Sequence, residues 1–270
     1  MKYTNKHNLP ETIVRAVGSP RPIVKGTFTG SELSGPPLIR CLKEQHWDAL
    51  EQDVSDMFWL LFGTAFHTVM ESSAPKDGLA EERLSMPWNN GYTISGMADL
   101  WRASKLVDYK TTSVYAFLLG DKEEWTKQLN IYRMLYEHHT FPVTGMEIHA
   151  ILRDWNAGKA LAGGDYPQIP FLVKPVPKVD VVPVVNDWIA RYESHDPCTP
   201  DEKWERPTTY AVMKDGRKTA LRVLGSEEEA KEWAANNVKG EHRIDVRKGI
   251  AARCEQYCLV RDFCPNRKVA

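Results

Sequence analysis

The hydrophobic rhythm of the chain changes several times between its two ends. Up to about residue 35, running into Pro36 and Pro37, prolines at 10, 20 and 22 fall among glycines and predict an extended arm with little regular structure. From Leu38 to about Ser72 the rhythm turns helical: Met57, Leu60, Leu61 and Thr64 recur at helical spacing, with a break expected near Gly63. A connection containing Pro75, Gly78 and Pro87 follows. Tyr92–Trp101 and Leu106–Thr112 then read as two strands joined by the polar loop Arg102–Lys105, a hairpin pattern. Asp121–His139 is an amphipathic helix, acidic at its start and closed by two histidines, as the helix dipole favours. Met146–Trp155 and the proline-bounded "PQIPFLVKPVP" predict further strands, and "VVPVVNDWIARYESH" a further helix. Thr208–Arg247 reads strand, Asp-Gly turn, strand, a helix capped by Ser226, strand: a small ββαβ unit.

These elements predict an α/β fold with a central mixed sheet flanked by helices. The expected segments are a core with its N-terminal arm over 1–207, the ββαβ insertion over 208–248, and a cysteine-bearing tail over 249–270 that packs back on the core. The chain of 270 residues, 42% hydrophobic and 26% charged, is long enough for a full core. No apolar run reaches transmembrane length and "MKYTNKHNLPETIV" lacks a signal-peptide core, so a cytoplasmic protein without a membrane partner is expected. A net charge of −1 gives no general attraction to nucleic acid, so any such binding must use a local basic patch or metal ions. The most basic stretch, Lys239–Arg253, reads as a solvated face or a phosphate contact.

"GMADLWRASKLVDYKTT" carries the chemistry. If its hairpin is symmetric, Trp101 pairs with Leu106 and Asp99 faces Asp108, with like charges roughly 5 Å apart, a destabilising arrangement. Lys110 projects on the same side as Asp108. A divalent cation such as Mg²⁺ or Mn²⁺ would explain the opposed carboxylates, and a lysine beside them could serve a water or a phosphate. A surface hairpin with a Lys110–Asp108 ion pair is the structural alternative. Gln128 and Tyr132 lie one helical turn apart, and His67 one turn beyond Gly63. Each alone also fits an ordinary packing or solvated role, as does Arg153 in "LRDW".

Taken together, "GTAFH" (Gly63–His67), "GMAD" (Gly96–Asp99), "DYKTT" (Asp108–Thr112) and "QLNIY" (Gln128–Tyr132) resemble the RecB-like branch of the PD-(D/E)XK nuclease superfamily over roughly residues 38 to 195. The resemblance implies a restriction-endonuclease-like core. It also implies a metal held by Asp99, Asp108, the Tyr109 carbonyl and His67, catalysis by Asp99, Asp108 and Lys110, and substrate or supporting roles for Gln128 and Tyr132. The implied activity is Mg²⁺- or Mn²⁺-dependent DNA hydrolysis, of an exonuclease type acting on ends or single strands in recombination or repair. "NLPETIVRAV", "PPLIRCLKEQHWDALEQDVSD" and "LRDW" are similar to phage-encoded members, which implies a bacterial host cytoplasm and phage recombination or replication partners.

Five cysteines form the second constellation: Cys41, Cys198, and Cys254, Cys258 and Cys264 as C-x3-C-x5-C. In a cytosolic chain such a cluster reads as metal ligation rather than a disulfide framework, and the set needs a fourth ligand. Iron–sulfur relatives such as AddB and the CRISPR-adaptation nucleases imply a cluster, of 4Fe-4S type, on Cys41, Cys254, Cys258 and Cys264. Cys198 is the rival fourth ligand and zinc the rival metal. Two other functional classes stay open: a catalytically silent nucleic-acid-binding subunit, and a structural metallo-cysteine module.

Overall fold

A computed structural model describes residues 1–118 and 122–267. By contact the chain divides into two compact units, Met1–Asp196 and Pro197–Ala270.

The first unit is a mixed α/β layer structure, as the alternation predicted. The strands of its two larger sheets are β1 (Thr27–Thr29), β2 (Leu79–Ala80), β3 (Arg83–Pro87), β4 (Thr93–Met97), β5 (Leu100–Arg102), β6 (Lys105–Thr112), β7 (Gly145–Leu152) and β8 (Phe171–Pro175). Its principal helices are α1 (Pro37–Gln45), α2 (Phe58–Ser72), α3 (Glu123–His138) and α4 (Val182–Ser194). The larger sheet runs β8-β7-β6-β5-β2, with β6 and β7 parallel and the other neighbours antiparallel. A smaller sheet runs β1-β4-β3. In β7 every second residue is buried: Met146, Ile148, Ala150 and Leu152. Met146, Ile148 and Ala150 join Leu129, Ile131 and Leu135 of α3 and Val185, Trp188 and Ile189 of α4 in one core. Asn130, fully buried on α3, donates to the Thr126 and Pro177 carbonyls and accepts from the Val179 amide, tying the helix to the strand-exit loop.

Several elements differ from the pattern. The arm expected to lack regular structure holds a helix at Glu11–Val17, β1, a helical turn at Gly30–Leu33, and the strand Lys2–Thr4 paired in parallel with Glu51–Asp53. Asp53 organises this arm by accepting from the Thr4 hydroxyl and the Lys6 and Ser55 amides, side-chain bonding that composition does not display. The helical rhythm after Leu38 is two helices, and α2 passes through Gly63 unbroken. The 73–91 connection contains β2 and β3, whose short runs lie between prolines. The hairpin has the expected Trp101–Leu106 pairing, but its loop is only Ala103-Ser104, with φ of 48° and 62°, as a two-residue mirror-image turn requires. Tyr92–Trp101 is two strands in two sheets, because the chain leaves the β4 ladder at Ala98-Asp99 and enters β5. The helix onset expected at Asp121 lies outside the described residues; the helix runs from Glu123.

The second unit contains the predicted ββαβ element: β10 (Thr209–Lys214), β11 (Arg222–Leu224), α5 (Glu227–Asn237, capped by Ser226) and β12 (His242–Arg247), with β10 central in the sheet. Two short strands flank it in sequence and pair antiparallel: β9 (Glu205–Arg206) and β13 (Ile250–Ala251). Its buried apolar cluster is small, centred on Val212, Ala230 and Ala234.

Candidate active site

The site lies where the chain crosses from one sheet of the first unit to the other. At that crossing Asp99 is 7% exposed; its Oδ2 accepts the Tyr109 amide and its Oδ1 stands 3.1 Å from His67 Nδ1. His67 Nδ1 also lies 3.3 Å from Glu81 Oε1. The ligand atoms of His67, Glu81 and Asp99 fall within 4.8 Å of one another. The carboxylates hold the imidazole in its charged form: hydrogen bonding to Asp99 outweighs burial and raises the His67 pKa to about 9. Glu81 is itself pushed up by burial and by the charge of Asp99.

Asp108 lies on β6, 2% exposed, on the face of Leu106 and next to the core. Burial is the main force raising its pKa, with Lys110 opposing and Asp99 adding to the rise. Lys110 Nζ stands 2.7 Å from the buried Asp108 Oδ2, as its ion-pair partner. Lys110 also donates to Gln128 Oε1 at 3.1 Å, and Gln128 Nε2 donates to the Tyr132 hydroxyl at 2.7 Å. Tyr132 is 6% exposed, and burial raises its pKa. A polar chain therefore runs from Asp108 on the sheet into α3.

Tyr132 needs space, and two glycines provide it. A Cβ at Gly96 would come within 2.7 Å of Tyr132 Cδ1, and one at Gly30 within 2.5 Å of its Cε1. Gly96 is thus the seat of the tyrosine that ends the polar chain. Gly63, expected to permit close packing beside His67, would bring a Cβ only into ordinary 3.7 Å contact with Thr111 Oγ1. Space is not what requires glycine there.

The expected opposition of bare carboxylates is also modified. β5 begins only at Leu100, so no ladder pair joins Asp99 to Asp108, and each carboxylate has its own cation, His67 and Lys110 respectively. The ion pair of the structural alternative is therefore present, but not at a surface. Burying so many ionisable groups is costly unless they are used, because desolvation offsets most of the pairing energy. Glu81 escaped the sequence reading. It sits between β2 and β3 with φ of 50°, a left-handed conformation unusual for a non-glycine residue, and its amide donates to the Asp99 carbonyl. The only trace of it in the sequence is the Glu81-Glu82 pair beside an alternating run. Arg153 follows β7 and places its guanidinium 4.3 Å above the ring of Trp59, which is 62% exposed on α2. Tyr109 packs its ring edge-on against Phe66 and His149.

The gathered donor set, carboxylate oxygens from Glu81 and Asp99 beside one imidazole, suits a hard divalent cation; Asp108 is not in that group and is paired with Lys110. Of the five cysteines, none forms a disulfide. Cys41, on α1, is buried and donates to the Tyr192 carbonyl at 3.2 Å, and burial pushes its thiol up to about 11.

No protein-family model matches the chain, and no curated protein matches it. Among solved structures, that of SSO0001 superposes with a TM-score of 0.51 at 15% identity, covering 72% of this chain and 88% of that one. The alkaline exonuclease LHK-Exo from Laribacter hongkongensis aligns with a TM-score of 0.39 at 11% identity, over 63% of this chain and 89% of its own. At these identities the likeness to SSO0001 is one of fold, consistent with the mixed α/β architecture. Among the described residues, no helix is long and apolar enough to cross a membrane.

Proposed function

We propose that the first unit is a divalent-metal-dependent deoxyribonuclease of the PD-(D/E)XK type. The observation that carries this reading is the convergence of His67, Glu81 and Asp99 beside the buried Asp108–Lys110–Gln128–Tyr132 chain. Glu81, Asp99, Asp108, His67 and the Tyr109 carbonyl would hold Mg²⁺ or Mn²⁺. When bound, such a cation supplies Lewis-acid polarisation of the phosphate and activation of water. The chain's own residues do the rest. Lys110, held by Gln128, aims its ammonium at the place where charge develops on the phosphate and orients the attacking water. That water forms the new P–O bond as the P–O3′ bond breaks, leaving a 5′-phosphate and a 3′-hydroxyl. Tyr132 fixes Gln128 and through it the direction of Lys110.

Single strands or ends are the preferred substrates in this reading, which makes the enzyme an exonuclease of recombination, repair or phage DNA metabolism, in a bacterial cytoplasm. A net charge of −1 provides little grip on a duplex backbone. Exposed Trp59, roofed by Arg153, offers a stacking platform two turns from His67 on the same helix, roughly 12 Å along its axis. The test is cleavage of labelled single- and double-stranded DNA with Mg²⁺, Mn²⁺ or EDTA, using the parent protein and Asp108→Ala. Metal-dependent cleavage lost in the variant supports the assignment. Equal activity in both removes the site assignment, and binding without cleavage removes the nuclease reading and favours a silent nucleic-acid-binding subunit.

A further inference from the structure

The ββαβ element of the second unit ends in two adjoining turns. β10 closes at Lys214 and β12 opens at His242, and these two residues face each other in the ladder. The Arg217 amide donates to the Lys214 carbonyl at 3.1 Å, which tightens the turn Asp215-Gly216-Arg217-Lys218. The Asp215 amide donates to the Glu241 carbonyl at 3.5 Å and ties that turn to the loop Lys239-Gly240-Glu241 between α5 and β12. Gly216 and Gly240 have φ of 76° and 93°, and a Cβ at either would meet nothing within 4 Å. Both turns are sharp and open to solvent.

Their charge is one-sided. Lys214, Arg217, Lys218 and Lys239 are all exposed, and none has an ion-pair partner among the described residues. Arg243, next to His242, is paired with Asp245 of its own strand. The acids of the tip are Asp215 and Glu241. Those of α5 gather in its first turn, Glu227–Glu229. That turn lies at the other end of the sheet, because β11 runs from the partner of Val212 to the partner of Tyr210 before the helix starts. Pro197–Ala270 holds more Lys and Arg than Asp and Glu, and Met1–Asp196 holds fewer, so the net charge of −1 conceals a cationic unit.

We infer that this tip is a docking surface for the phosphate backbone of duplex DNA. Four unpaired cations on two adjoining turns are complementary to a polyanion. No Phe, Tyr or Trp lies between positions 214 and 222 or between 238 and 243, so the tip has no ring on which a free base could stack. It offers contacts to phosphates alone, which position a partner without reading its sequence. A duplex answers such contacts best. It carries roughly one charge per 1.7 Å of axis and releases more counter-ion per neutralised phosphate than a single strand does. The choice of DNA rests on the nuclease reading of the first unit, and the tip supplies the duplex grip that the overall charge does not.

The test is binding of a short labelled duplex by the full chain in EDTA, measured over a series of NaCl concentrations. It compares the parent with a variant carrying Lys214→Gln, Arg217→Gln, Lys218→Gln and Lys239→Gln together. Lys231→Gln, an exposed cation of α5 paired with Glu227, is the control. The plot of log affinity against log salt should be shallower by about 3 to 4 in the four-site variant and unchanged in the control. Should circular dichroism show the four-site variant unfolded, Lys218→Gln and Lys239→Gln taken singly decide, each with a slope shallower by about 1. No duplex binding by the parent at low salt overturns the inference, as do equal slopes in parent and tip variants. So does a change in Lys231→Gln as large as at a tip lysine. A tip variant that binds as the parent does but self-associates in sedimentation also overturns it, and assigns the cations to guarding the edge strand β12. Tip-dependent binding of a single strand in preference to the duplex overturns the choice of duplex. Cleavage with Mn²⁺ reports separately on the first unit: tip-dependent duplex binding by a chain that cuts no DNA removes the nuclease reading and supports this inference.

Discussion

The carboxylate site and the basic tip of the second unit are built in opposite ways. The first draws His67, Glu81, Asp99 and Asp108 from helix, loop, sheet crossing and strand; the strand of Asp108 is part of the core, whereas the helix of His67 has no buried residue. It also contains its own cations, with His67 beside Asp99 and Glu81 and Lys110 beside Asp108, so part of its carboxylate charge is offset inside the protein. The tip takes its cations from two exposed turns and leaves them unpaired among the described residues, beside a core of a few small residues. The difference teaches where each charge acts. A buried, paired charge serves chemistry at one point, and its loss should cost activity. A charge left in solvent serves attraction along a backbone, and its loss should cost affinity and salt dependence.

The largest expected effect separates the two regions directly. Asp108→Ala and Lys110→Ala should each lower DNA cleavage on the order of 1,000-fold, the scale of removing a transition-state charge partner. Far-UV circular dichroism and tip-dependent duplex binding in EDTA should stay as in the parent. Full Mg²⁺- or Mn²⁺-dependent activity in either variant would refute the assignment.

Glu81→Gln probes the ligand that only the fold brings into place. In the metal-free protein the change should be mild, since Glu81 is already raised by burial and by Asp99. With Mn²⁺ the variant should bind about 10- to 100-fold more weakly, so the rise in melting temperature at a fixed Mn²⁺ concentration should shrink by linkage. Identical Mn²⁺-induced shifts would mean that Glu81 is a bystander.

Gly96→Ala tests whether the seat of Tyr132 matters to a lysine on the opposite side of the polar chain. A methyl 2.6 Å from Leu135 Cδ1 and 2.7 Å from the Tyr132 ring forces both side chains to give way, and overpacking of this kind costs about 1–3 kcal/mol. The melting temperature should fall by about 2–4 °C for each kcal/mol in a chain of this size. Activity should fall further than Tyr132→Phe makes it, because the phenylalanine loses one hydrogen bond, about 0.5–1.5 kcal/mol, without displacing α3. A stable, fully active Gly96→Ala would detach the glycine from the site.

These residues also mark what the sequence could disclose. Asp108, Lys110, Gln128 and Tyr132 were legible because short spacings on single elements set their directions: alternate positions on β6, one turn on α3. The reason for Gly96 was not, since it depends on a ring thirty-six positions away. The sheet crossing at Ala98-Asp99 was hidden because alternation continues from β4 into β5 although the ladder does not. Glu81 was hidden for a related reason: a left-handed backbone between two short strands turns it toward His67, and no local pattern encodes that turn. Among the cysteines, spacing gave three thiols as a group. Lys239 stood out within a basic stretch, but its meeting with Lys214, Arg217 and Lys218 depends on the pairing of β10 with β12.

The smallest effect concerns the protonation of His67 in the metal-free site. Its folded pKa is raised from 6.5 to about 9, with the Asp99 hydrogen bond as the first cause, so the fold favours the charged imidazole. The stabilisation is complete below about pH 6.5 and is lost as pH rises through about 9. Glu81 and Asp108, which face the same cluster, are raised by burial, and their protonated forms also stabilise the fold. That contribution begins to fade near the ordinary carboxylate pKa and has the same sign as that of His67. His67→Gln isolates the alkaline part. With EDTA present, the melting temperature of the parent should decline between about pH 6.5 and 9, and the decline should be shallower in His67→Gln. Superimposable curves over that window would show that the imidazole does not carry its proton between Asp99 and Glu81.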